Sequence, residues 1–123
     1  MKVKCYRELT VWQKSMQITK DVYALVKKLP KEETFALSDQ IRRSAVSIPS
    51  NIAEGQERDS STEFVRFLNI AQGSRAELET QLLIGKEIGY FVENDIECIM
   101  NSLTELGKMI NALINSIKQK TNN

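Results

Sequence analysis

The side chains able to do chemistry in this 123-residue sequence are its carboxylates, two cysteines, and its arginines and lysines; histidine is absent. Without histidine there is no Ser-His-Asp or Cys-His catalysis, no His-ligated zinc or iron, and no imidazole pH switch. Helical bundles that bind two metals use Glu-x-x-His on two helices, so that centre is excluded too. An all-carboxylate centre would have to draw on Glu54, Glu63, Glu77 and Glu79. Glu77 and Glu79 stand two apart and diverge on a helix, so ion-paired or solvated carboxylates are expected instead. Gly73-Ser74 is an isolated pair rather than a phosphate-cradling loop. No catalytic residue, metal or cofactor is expected.

Cys5 and Cys98 are far apart and neither belongs to a C-x-x-C pair, which removes a zinc knuckle and a redox motif. A chain this long, 41% hydrophobic, builds a core without a disulfide, so both thiols are expected reduced. The charged start, Met1 to Glu8, leads into no apolar signal core, and no run of eighteen apolar residues exists to span a membrane. The expectation is a cytoplasmic protein without a membrane partner.

Charge is balanced overall, 17 basic residues against 16 acidic, for a net +1. Its distribution is uneven. Residues 1–30 carry seven basic and two acidic groups, a local +5, and the rest of the chain is mildly acidic. Lys20 and Lys27, seven apart, read as one rail placed opposite the Trp12–Tyr23 seam; Lys14 and Lys28 read as a second. With Arg7 they form the candidate nucleic-acid surface, because clustered cations bind phosphates without sequence preference and with strong salt dependence. The competing reading is a solvated polar face. A second constellation, Arg42, Arg43, Asn51 and Glu54 in the run Gln40–Gly55, reads as a contact surface or as arginine–carboxylate pairing with Glu63, Glu77 or Glu79.

The elements that must position these groups are four helices. In the first, about 10–29, Leu9, Trp12, Met16, Thr19, Tyr23 and Val26 step by three and four as a seam. A second row, Val11, Ile18, Val22, Leu25 and Leu29, lies beside it; Thr10 suits the N-cap and Pro30 the stop. The second helix, about 38–56, opens at Ser38 and ends near Gly55, with Ile41, Ala45, Ile48 and Ile52 inward. Pro49 lies inside it and should kink it, with Ser47 and Ser50 placed to satisfy the freed backbone groups. The third, about 61–88, has Ser60 and Glu63 as a capping box, and Gly85 and Gly89 on one side for close backbone approach or a C-cap. The fourth, about 94–118, begins near Asn94-Asp95, and the tail to Asn123 should fray.

Short connections join antiparallel neighbours. The fold expected is therefore all-α, an antiparallel up-down-up-down four-helix bundle in one domain. Two apolar rows on the first helix, and Met100, Met109 and Ile114 beside the main row of the fourth, exceed what one bundle can bury. Excess apolar surface usually marks an interface, so copies of the chain are expected to associate head to tail.

Four segments resemble a known family: L-T-V-W-Q-K at 9–14, L-S-D-Q-I-R-R-S-A-V-S-I-P-S-N-I-A-E-G at 37–55, E-F-V-R-F-L-N-I-A-Q-G-S-R-A-E-L-E-T at 63–80, and I-G-Y at 88–90. Together they resemble the four-helix-bundle proteins encoded by intervening sequences in bacterial 23S ribosomal RNA genes. The resemblance implies a homopentamer without enzymatic activity, in which Arg42, Arg43, Ser47, Pro49, Asn51, Glu54, Gly73, Ser74 and Glu77 are structural. A related group, the accessory variability determinants of diversity-generating retroelements, implies nucleic acid and a reverse transcriptase as partners; this chain departs from it in being nearly neutral. The functional expectation is a non-enzymatic oligomer that is nucleic-acid-associated or a scaffold. The alternatives are a protein-binding adaptor with no nucleic-acid affinity, and a hydrolase relying on Glu54 or Glu77.

Overall fold

The computed structural model describes residues 5–122; Lys2 and Lys4 of the basic segment, and Asn123, lie outside them. Four helices dominate: α1 Thr10–Val26, α2 Leu37–Glu57, α3 Ser61–Ile88 and α4 Glu93–Asn122. Short 3₁₀ turns at Tyr6–Glu8 and Lys31–Glu33 precede α1 and α2. Among the described residues there is no strand. Each helix packs on two others, α1 on α2 and α4, and α3 on α2 and α4.

Cross-helix contacts give the relative directions. Lys14 of α1 meets Glu105 and Lys28, in the turn just after α1, meets Asp95, so partner numbers in α4 fall as those along α1 and its following turn rise. Ser47 lies against Ser74, and Gly55 against Phe64 and Phe67, giving the same opposition for α2 and α3.

The core takes one stripe from each helix. On α1 it is the row Val11, Ile18, Val22 and Leu25, with Val26 and Leu9; Trp12 is half-buried, and Met16 and Tyr23 are exposed. Ile41, Ala45, Ile48 and Ile52 enter from α2, Leu68, Ala71, Leu78 and Leu82 from α3, and Ile96, Leu103, Leu106 and Ile110 from α4. Ile114 belongs to this core, and Met100 and Met109 pack against it half-buried. The fourth helix therefore does not supply the surplus apolar surface expected of those three residues.

Several ends differ from expectation for local reasons. Leu9, not Thr10, is the N-cap of α1, and no side chain caps it. The helix gives way at Val26 to tight turn bonds, Lys28 N–H to Leu25 O and Leu29 N–H to Val26 O, three residues earlier than Pro30 requires. At α2 the Glu33 carboxylate accepts the Leu37 N–H, so the helix starts one residue before Ser38. Gly55 does not end α2, which runs to Glu57; a Cβ there would fall 2.6 Å from Phe67 Cβ, so glycine is required for α3 to pack. Gly85 likewise makes room for the Phe91 ring, also 2.6 Å from where a Cβ would stand, rather than for another backbone. Gly89, at φ 97°, is the left-handed cap of α3. Ser60 Oγ accepts the Glu63 N–H as expected, while the Glu63 carboxylate turns to Arg66. In the structure the C-terminal tail continues α4 to Asn122, past the end expected near Lys118.

Pro49 lies within a continuous α2. Proline has no N–H, so the carbonyl four residues earlier, Ala45 O, loses its helical donor. The donor that replaces it is neither Ser47 nor Ser50. Thr19 Oγ1 of α1, bonded to Ser15 O at 2.8 Å, lies 3.2 Å from Ala45 O and joins the two helices. Asn51 Nδ2 donates to Ser47 O and to Ser47 Oγ, and Ser47 Oγ shares a hydrogen bond of 2.8 Å with Ser74 Oγ of α3.

Thr19→Val should lower unfolding stability by about 1–3 kcal/mol, the cost of an orphaned buried acceptor. In a Pro49→Ala background the residue 49 N–H reclaims Ala45 O, so the same substitution should cost clearly less. Urea unfolding of the four proteins of this cycle measures the difference.

Candidate functional site

The exposed part of α1 opposite its core row is a mixed stripe of Met16, Lys20, Tyr23 and Lys27. At about 100° per residue these four fall within about 60° of one another. This corrects the expectation that Lys20 and Lys27 lie opposite the Trp12–Tyr23 seam: they alternate with it. Met16 is 38% and Tyr23 44% exposed. Toward α2 the stripe passes into an open apolar groove whose floor includes Trp12, Thr19, Val46, Pro49 and Ala53. The Thr19–Ala45 contact lies beside it, and the Tyr6 ring, edge-on to Trp12 at 5.4 Å, also lines it.

A second recess lies between α2 and α3, lined by Gln40, Arg43, Ser44, Ser47, Glu77 and Gln81. Ile70, Gly73 and Ile84 extend its α3 wall. Ile70, Glu77 and Ile84 are seven apart, hence in line along the outside of α3. The two isoleucines are 40% and 43% exposed. Gln81 is buried and its Oε1 has no hydrogen-bond partner. Helix α3 is thus apolar on two sides, one in the core and one on the surface. Sequence reading missed this second stripe, although the heptad spacing of Ile70 and Ile84 was its signal.

The candidate cations are distributed unequally. Lys14 pairs with Glu105 at 3.5 Å and Lys28 with Asp95 at 2.7 Å, so the second rail is neutralised within the subunit. Arg7 lies 5.7 Å from the centre of the Tyr6 ring. Lys20 and Lys27 make no ion pair among the described residues.

The arginine–carboxylate pairs are local rather than interhelical. Arg43 binds Asp39, Arg58 binds Glu54 and Arg66 binds Glu63, while Arg75 binds Glu79. Arg42 donates to Thr34 O. Arg58 and Arg66 both approach the Phe67 ring, at 5.1 and 4.5 Å. Of the four carboxylates considered for a metal centre, three are thereby held by arginine, and Glu77 alone makes no ion pair among the described residues. Among the described residues no three His, Cys, Asp or Glu side chains gather at metal-binding distance. Cys5 and Cys98 are free thiols. Among the described residues no helix is long and apolar enough to cross a membrane.

The chain matches the family model of 23S rRNA-intervening sequence proteins over residues 7–112. Six chains of solved structures match it. One, from Bacteroides thetaiotaomicron, is described as a protein with unknown function from the S23 ribosomal protein family. It is 33% identical with a TM-score of 0.79, over 85% of this chain and 98% of that one. No curated protein matches.

Asp95 accepts from Lys28 Nζ and from the Val92 N–H. Both contacts favour the carboxylate and hold its pKa below the ordinary 3.8, the lysine bond contributing most. A carboxyl whose pKa is lowered on folding stabilises the fold above its unfolded value, and this is lost as pH falls through the folded one. Asp95→Asn should therefore reduce the loss of urea resistance between pH 6 and pH 3 relative to the unsubstituted chain. Equal losses would show that the pair contributes nothing.

Proposed function

This chain belongs to the 23S rRNA-intervening sequence protein family, and from that premise we propose that it is a non-enzymatic, self-assembling helical scaffold. The observation that carries the proposal is the presence of two partly apolar stripes on different helices, Met16–Tyr23 on α1 and Ile70–Ile84 on α3, neither used by the core. Two unlike stripes suit a heterologous, head-to-tail contact, which closes into a ring when the rotation permits. Five subunits is the number implied by the family resemblance. The absence of catalysis is supported by the carboxylates themselves: Glu54, Glu63 and Glu79 are bound by arginines, leaving no acid–base pair at the surface stripes.

A second reading, association with RNA or DNA, is favoured by Lys20 and Lys27, which project on one face. Two such cations give a weaker contact, with a shallower salt dependence, than the five residues expected from sequence. A protein partner such as a reverse transcriptase would use the same outer surface, and an adaptor without nucleic-acid affinity would use its apolar part alone.

Light scattering should give a mass several times the 14.0 kDa of one chain at micromolar concentration. Ile84→Lys should shift the mass toward one chain while circular dichroism keeps its helical signal, since Ile84 lies outside the core cluster. A monomer from the unsubstituted chain would refute the scaffold.

A further inference from the structure

Resting on that assembly reading, we propose that Glu77 of one copy forms an interchain ion pair with Lys20 of the next, fixing the register in which the α3 stripe docks on the α1 stripe. Each surface carries one charge between two exposed apolar side chains, and the two charges are opposite. On α3, Glu77 is centred between Ile70 and Ile84, one heptad to either side. On α1, Lys20 lies between Met16 and Tyr23, four and three residues away. All six residues are exposed on the isolated subunit. Lys20 and Glu77 make no ion pair or hydrogen bond among the described residues, in a chain where Lys14, Lys28, Arg43, Arg58, Arg66 and Arg75 are all engaged.

The flanking apolar side chains give this pair its value. An exposed lysine–glutamate pair contributes little because water and salt screen it. Enclosed between Met16 and Tyr23 on one side and Ile70 and Ile84 on the other, the same pair is partly desolvated and discriminates strongly against a slipped register, which would leave both charges buried and unmatched. Glu77 also forms a wall of the α2–α3 recess beside Ser47 and Gln81, so an ammonium group arriving at Glu77 reaches a polar recess and not bare hydrocarbon.

The experiment is a charge exchange read by light scattering, with circular dichroism as the folding control. Lys20→Glu and Glu77→Lys should each raise the assembly dissociation constant at least about tenfold and move the mass toward 14.0 kDa. The double variant, Lys20→Glu with Glu77→Lys, should recover the assembled mass. If the unsubstituted chain assembles but either single variant leaves the mass unchanged, or the double variant stays dissociated, the pair is refuted and the scaffold reading survives. If the unsubstituted chain is itself a monomer, both fail. Loss of binding to a labelled RNA by Lys20→Glu, at unchanged mass, would instead assign Lys20 to nucleic acid.

Discussion

The carbonyl of Ala45, released from the α2 ladder by Pro49, has to find a donor from outside its own helix. Thr19 of α1 approaches it as the longer arm of a hydroxyl shared with Ser15 O. That single bond has consequences for the whole subunit, because Thr19 belongs to one of the two apolar rows of α1. With Thr19 held against α2, the row containing Val22, Ile18 and Leu25 faces the core, and Met16 and Tyr23 turn outward. The contact freed by the proline in the second helix thus agrees with the face of the first that is buried.

The outward rows are not buried within the subunit. A helix in a four-helix bundle presents one inward stripe, and α1 and α3 each carry a second. The α2–α3 contact is built on small residues, Gly55, Ser47 and Ser74, which bring the two helices close. Large aliphatic residues on α3, Ile70 and Ile84, consequently lie beyond this contact, at the surface. The polar groups around them are mostly satisfied locally, by arginine–carboxylate pairs one helical turn apart. The two outer stripes themselves carry exposed apolar side chains with Lys20, Lys27 and Glu77 among them, a composition that suits association better than catalysis.

Much of this was legible in the residues. Periodicity located four helices, the absence of histidine removed whole classes of chemistry, and the caps follow from residue type, the Ser60 hydroxyl and the missing Cβ of Gly89. Other features depend on neighbours distant in sequence. That Gly55 and Gly85 admit Phe67 and Phe91, and not a turn or another backbone, is set by helices packing across the bundle. Glu33, reaching Leu37 N–H and the Tyr90 hydroxyl, ties together two ends that no local pattern connects. The choice between the two α1 rows could not be made from spacing alone, since both step by three and four. The placement of Lys20 and Lys27 was a different matter: helical angles alone put them beside Met16 and Tyr23, and reading them as an opposed polar rail was an error of face. The ion pairs of Lys14 and Lys28 required α4 to be in place, and they reduce the basic surface that composition suggests.

The central claim is that the outer stripe of α1 is covered by another copy of the chain. Hydroxyl-radical footprinting of the protein at micromolar concentration tests it most directly, with Phe35, 94% exposed on the subunit, as internal reference. The account predicts that Tyr23 and Met16 are modified far more slowly than their subunit exposure allows, while Phe35 reacts as it does in the urea-unfolded chain. Modification of Tyr23 and Met16 in proportion to that exposure, at concentrations where the account requires assembly, would contradict it.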